Sequence, residues 1–78
     1  MKNKICYLFF SGYYVTSLAS EILVKNNIEN RIVKSPVMIR NGCNFTLRIK
    51  NDDAEISIYL LEREGIRLVK KVVSEDKI

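Results

Sequence analysis

Lys4-Ile5-Cys6-Tyr7-Leu8-Phe9-Phe10, followed by Ser11-Gly12, is the stretch that decides how this chain folds. Every residue from Ile5 to Phe10 is apolar or aromatic. A strand of this kind buries both faces and belongs at the centre of a sheet. Lys2 and Lys4 ahead of it imitate the front of a secretion signal. The imitation fails on length, because Ser11-Gly12 interrupts the run before it reaches an apolar region of roughly 7–15 residues. Cleavage there would also delete a core strand. Ser11 fits a helix N-cap, and the helix is expected from about Gly12 to Asn26. Val15, Leu18, Ala19, Ile22 and Leu23 recur at i, i+3, i+4, i+7 and i+8, which puts them on one apolar stripe. Asn26-Asn27 suits the helix exit.

Residues 30–34 read as a second strand carrying Ile32 and Val33, and Pro36 disfavours continued pairing. The loop from Ser35 to Gly42 is longer than an ordinary hairpin connection, and long loops are often functional. Residues 44–50 alternate: Phe45, Leu47 and Ile49 face one way, and Asn44, Thr46, Arg48 and Lys50 face the other. Asp52 is placed to cap a second helix, with Glu55 three residues on completing an Asp variant of the capping box. Ala54, Ile58 and Leu61 mark the buried stripe of that helix, and Gly65 supplies a left-handed residue just beyond it. Residues 66–73 complete the sheet, and Ser74 to Ile78 form a polar end.

The order βαββαβ defines an α+β protein. Right-handed crossovers favour a ferredoxin-like sandwich with antiparallel sheet order 4-1-3-2 and both helices on one face. The expected organisation is one domain, residues 1–74, with a polar C-terminal tail at 75–78.

Composition narrows the function classes. A chain of 78 residues makes one small domain. It buries little more than ~60% of its unfolded surface, so a homodimer would add needed stability. With 47% apolar and 28% charged residues it reads as globular. The net charge of +4 comes from 13 basic and 9 acidic residues. The basic residues are scattered rather than drawn into a stripe, and the aromatic signature of an RNA-recognition sheet is missing, so nucleic acid is not the expected partner. No apolar run approaches the ~20 residues of a membrane span. Two cysteines form no disulfide framework and point to a cytoplasmic protein. With no His in the chain, no metal site is expected within one copy.

Gly42-Cys43-Asn44 offers the strongest chemistry in the sequence. The third strand should run antiparallel to the first and beside it, so its start lies near the end of the first strand, where Ser11, Gly12, Tyr13 and Tyr14 open the first helix. Cys43 is therefore expected at the positive end of that helix, an environment that favours thiolate. Backbone N–H groups of Gly42, Asn44 and residues 11–14 would hold an anion, and Arg40 would add positive charge. No general base is visible, which fits a carrier or binding protein better than an enzyme. The competing reading makes Cys43 a small buried hydrophobe, and Tyr13 and Tyr14 half-exposed cover for the sandwich edge. Cys6 reads as core. The topology separates it from Cys43 by roughly 15 Å, which excludes a disulfide between them.

These elements together make the chain resemble the selenium/sulfur carrier-like family of small bacterial proteins, a domain of unknown function. Tyr7-Leu8-Phe9 is similar to the family's opening strand, Leu18, Glu21 and Leu23 to its first helix, and Arg31-Ile32-Val33 with Pro36 to its second strand. Gly42-Cys43 and Leu47-Arg48-Ile49 resemble its Cys-Gly element and the strand after it. Asp53-Ala54, Leu60-Leu61 and Gly65-Ile66 resemble the second helix and its exit. The likeness runs from about Tyr7 to Val73. Two positions depart from the pattern: Asn44 stands where the family has glycine, and Gly12-Tyr13-Tyr14 replaces a Pro-Ser-Thr-like helix start. The resemblance implies a carrier in which Cys43 takes a terminal sulfur or selenium atom from a donor protein, holds it as a persulfide or perselenide and yields it to an acceptor protein. It implies no cofactor besides that covalent group. The residues alone leave a second function open, a non-covalent protein- or small-ligand-binding module that dimerises and in which Cys43 is incidental.

Overall fold

The computed structural model describes residues 4–35 and 45–75. The chain runs through strand β1 (Lys4–Phe9), helix α1 (Tyr13–Lys25), strands β2 (Asn30–Lys34) and β3 (Phe45–Lys50), a single 3₁₀ turn (Asn51–Asp53), helix α2 (Ala54–Arg63) and strand β4 (Lys70–Glu75). The four strands form one antiparallel sheet in the order β2-β3-β1-β4, the expected order read from its other edge. The two β-α-β units interleave: β3 lies between β1 and β2, and β1 lies between β3 and β4.

β1 occupies the interior position that its unbroken apolar run requires. Cys6 pairs with Ile49 and Leu8 with Leu47, and all four are buried. Ala19 and Leu23 of α1 and Ala54 and Leu61 of α2 join them in one cluster. One sheet face therefore carries both helices. The edge strands contain Arg31 and Lys34 on β2 and Lys70 and Lys71 on β4, charges that discourage pairing with a further strand.

Both helices leave the core by the same device. Asn27 (φ 61°) follows α1 and Gly65 (φ 84°) follows α2. The next residue in each case, Ile28 or Ile66, donates its N–H to a carbonyl five residues back, Leu23 or Leu61, at 2.9 Å. Asn27 and Gly65 donate to Val24 and Glu62 at 3.0 Å, which completes a Schellman motif at each exit. Ile28 and Ile66 then pack against the core.

Three local expectations are corrected. Gly12, not Ser11, is the N-cap of α1, and it makes no side-chain cap. Asp53, not Asp52, caps α2, again without a side-chain bond, because the 3₁₀ turn carries Asp52 away from the capping position. β4 starts at Lys70 and runs to Glu75, rather than spanning 66–73. Ile66 and Leu68 are spent on core packing before the strand begins, and Val69 donates its N–H to the Phe9 carbonyl at 2.8 Å.

The Ser57 hydroxyl is buried and has no hydrogen-bond partner among the described residues. A buried hydroxyl without a partner costs stability, and alanine is also the better helix former. Ser57→Ala is expected to raise unfolding stability by ~1 kcal/mol in urea titration. Gly65→Ala is expected to lower it by ~1 kcal/mol, because alanine is strained at positive φ.

Candidate functional site at the start of helix α1

The end of β1 delivers the chain into α1 through Phe10, buried, and Ser11-Gly12. Gly12 is extended (φ −175°, ψ 177°), and its carbonyl accepts both the Thr16 N–H at 3.0 Å and the Thr16 hydroxyl at 2.8 Å. Thr16 is fully buried, so the first turn is clamped from inside. The amides that open an α-helix have no carbonyl partner within it. The N-cap residue, Gly12, has no side chain to cap them, and no acidic residue lies in the first turn. The second helix differs: Asp52 and Asp53 precede it and Glu55 lies in its first turn. Carboxylates thus gather at the positive end of α2, whereas the first turn of α1 contains none.

The Tyr13 ring meets Phe45, the first residue of β3, edge to face with centroids 5.2 Å apart. The start of β3 thus lies against the first turn of α1, as the antiparallel pairing of β1 and β3 requires. Lys34 pairs with Phe45 across β2 and β3, which brings an exposed ammonium to the same end of the sheet. On the β4 side, Ser11 lines a groove of about 360 Å³ together with Val15, Leu18, Glu64, Arg67 and Val69. Tyr13 and Ser11 therefore serve opposite flanks of the helix start. Tyr14 is 73% exposed, more than edge cover implies. Cys43, Gly42, Asn44 and Arg40 lie outside the described residues.

Thr16 and Lys34 escaped the sequence reading as parts of this region, and Phe45 entered it only as the start of the third strand. Thr16 carried one signal: a threonine four residues after Gly12 can turn its hydroxyl back onto that carbonyl. Lys34 carried none, since its neighbourhood depends on the register of β2 and β3.

Cys6 is a free cysteine with no exposed surface. Burial pushes its thiol above the ordinary range, with Lys71 pulling the other way more weakly. Cys6 thus stays protonated at neutral pH and is core, as its strand position implies. Among the described residues no group of His, Cys, Asp or Glu gathers as a metal site, and no helix is long and apolar enough to cross a membrane.

Residues 5–72 match the family model described as "Putative Se/S carrier protein-like". The chain belongs to this family. The match runs from β1 into β4 and takes in both helices. No curated protein matches the chain. The family description names the carriage of selenium or sulfur, which calls for donor and acceptor partners.

For Cys6, alkylation of the native protein at pH 8 should be ~100-fold slower than in denaturant, as read by mass spectrometry, because reaction requires opening of the core. The sign of its pH linkage follows from a raised folded-state pKa. The stabilising contribution is complete below the unfolded thiol value of ~8.5 and is lost as pH rises towards the folded value. Denaturant midpoints should therefore fall above about pH 9, and less so in Cys6→Ala.

Proposed function

We propose that this protein is a sulfur or selenium carrier whose working atom is the thiol of Cys43. The observation that carries this reading is the acid-free first turn of α1, with a glycine at its N-cap, set against the residue that opens β3. Cys43 is two residues before Phe45, so covalent geometry keeps the two Cα atoms within ~8 Å. A thiolate in reach of helix-terminal amides and of the Lys34 ammonium is favoured over the thiol. The same donors suit the terminal anion of a persulfide. The βαββαβ order and interleaved sheet support a ferredoxin-like sandwich as the scaffold, and a cytoplasmic protein fits a working thiol.

The chemistry balances without an external oxidant. The Cys43 thiolate attacks the outer sulfur of a donor persulfide, R–S–SH. The bond between Cys43 sulfur and the transferred sulfur forms, the donor S–S bond breaks, and the donor leaves as R–S⁻. The product, Cys43–S–SH, ionises to the persulfide anion. An acceptor thiolate then attacks the carried sulfur, and Cys43 thiolate is regenerated. Selenium follows the same path with R–S–SeH as donor. Gly42, Asn44 and residues 11–14 bind the anion in this scheme, and Arg40 adds charge. Tyr14, exposed beside the helix start, is suited to contact the donor or acceptor protein.

Two measurements test the reading. Alkylation of Cys43 at graded pH should show a thiol pKa at least one unit below the ordinary ~8.5, and Lys34→Glu should slow the reaction at pH 7 by about two- to threefold. Intact mass of protein isolated without reductant should show a gain of ~32 or ~79 Da, one sulfur or one selenium, that disappears in Cys43→Ser. A Cys43 no more reactive than a cysteine peptide, with no such adduct, would leave the non-covalent binding module as the better account.

A further inference from the structure

Helix α2 carries two apolar stripes where the core uses one. Ala54 and Leu61 are buried, and Ile58 packs against the same cluster. Ile56, Tyr59 and Leu60 form a second stripe, at i, i+3 and i+4, on the side turned away. Ile56 is 47% exposed and Tyr59 56%, with Leu60 half-buried beside them. Arg63, one turn on, holds its guanidinium 6.0 Å from the Tyr59 ring centroid. A lone exposed apolar residue is ordinary, but a contiguous group rimmed by charge marks an interaction surface.

The rim is acidic in a chain that is otherwise basic. Residues 52–64 hold five of the nine acidic residues and one of the thirteen basic ones. Their net charge is −4, while the rest of the chain, with twelve basic and four acidic residues, carries +8. Glu55 and Glu62, seven residues apart, run along one side of the stripe, and Glu64 follows Leu60 by one turn. Glu55 suits the positive start of the helix. Glu62 in the last turn and Glu64 at the C-cap stand at its negative end, where a carboxylate is unfavourable. None of the three forms an ion pair among the described residues. Fold stability accounts for neither the outward apolar stripe nor these last two carboxylates.

We propose that the outer face of α2 is a docking surface for a partner protein that presents a basic amphipathic helix. Apolar side chains of that helix cover Ile56, Tyr59 and Leu60, and lysines or arginines on its flanks meet Glu62 and Glu64. The ten residues of α2 offer ~15 Å of length, so the contact falls well short of a standard interface of ~1,600 Å² and the complex is transient. A second copy laid face to face sets the Glu55 and Glu62 carboxylates against their own kind, and the same rim repels nucleic acid and anionic lipid. The surface is independent of Cys43 and of the carrier reading.

The test titrates the full chain against a labelled synthetic 14-residue peptide with leucines at i, i+3, i+4 and i+7 and lysines on both flanks. Fluorescence anisotropy reads the affinity, and backbone amide NMR reads the place. Saturable micromolar binding is expected, with shifts centred on residues 55–64. Tyr59→Ser and Glu62→Lys, both at exposed positions, should each bind at least fivefold more weakly. Glu62→Lys should melt no lower than wild type, because a cation suits the end of a helix. It should also gain at least threefold in affinity for a second peptide with glutamates in place of the lysines. No saturable binding, both variants within twofold of wild type, or shifts centred outside α2 would overturn the proposal. A scrambled peptide of the same composition binding within twofold would do the same. Sedimentation that shows a dimer of the wild type abolished by Tyr59→Ser would assign the face to a second copy instead.

Discussion

Strand β1 is bonded on both edges, to β3 and to β4, and its Cys6 and Leu8 meet Ile49 and Leu47 beneath the two helices. Almost everything else follows from that burial. A chain of this size has little apolar area to spare, so the strand that fills the centre must also define the layers. Its C-terminal end sets where α1 begins, and the Phe9 carbonyl holds the approach to β4 through Val69. The pairing of β1 with β3 brings Phe45 to Tyr13, and the candidate site inherits its geometry from the core.

The two helices end alike and begin differently. Each exits through a left-handed residue followed by an isoleucine that returns to the core, a solution dictated by packing. At their starts, α2 has Asp52, Asp53 and Glu55, while the first turn of α1 has no acidic residue. Stability alone favours carboxylates at both positions. The first turn of α1 forgoes that stabilisation.

Local pattern carried much of this architecture. The unbroken run from Ile5 to Phe10 announced an interior strand, the spacing of Val15, Ala19, Ile22 and Leu23 a helix, and Gly65 a helix exit, because each of these depends on residues near in sequence. The caps were misjudged for the same reason. Ser11 and Asp52 have the right chemistry one residue too early, and only the path of the backbone into each helix selects Gly12 and Asp53. The start of β4 was placed too soon because Ile66 and Leu68 look like strand residues in isolation, whereas the core claims them first.

By itself the sequence determined the order of elements, the central strand and the helix exits, since periodicity, backbone preference and residue chemistry are local properties. Register and burial were decided only by the tertiary structure. It alone turned Thr16 inward onto Gly12, brought the Tyr13 ring to Phe45, opposed Arg31 to Arg48 and left Lys50 to Glu29. Each of these joins groups whose encounter depends on how the backbone folds them together, and no local pattern encodes that distance.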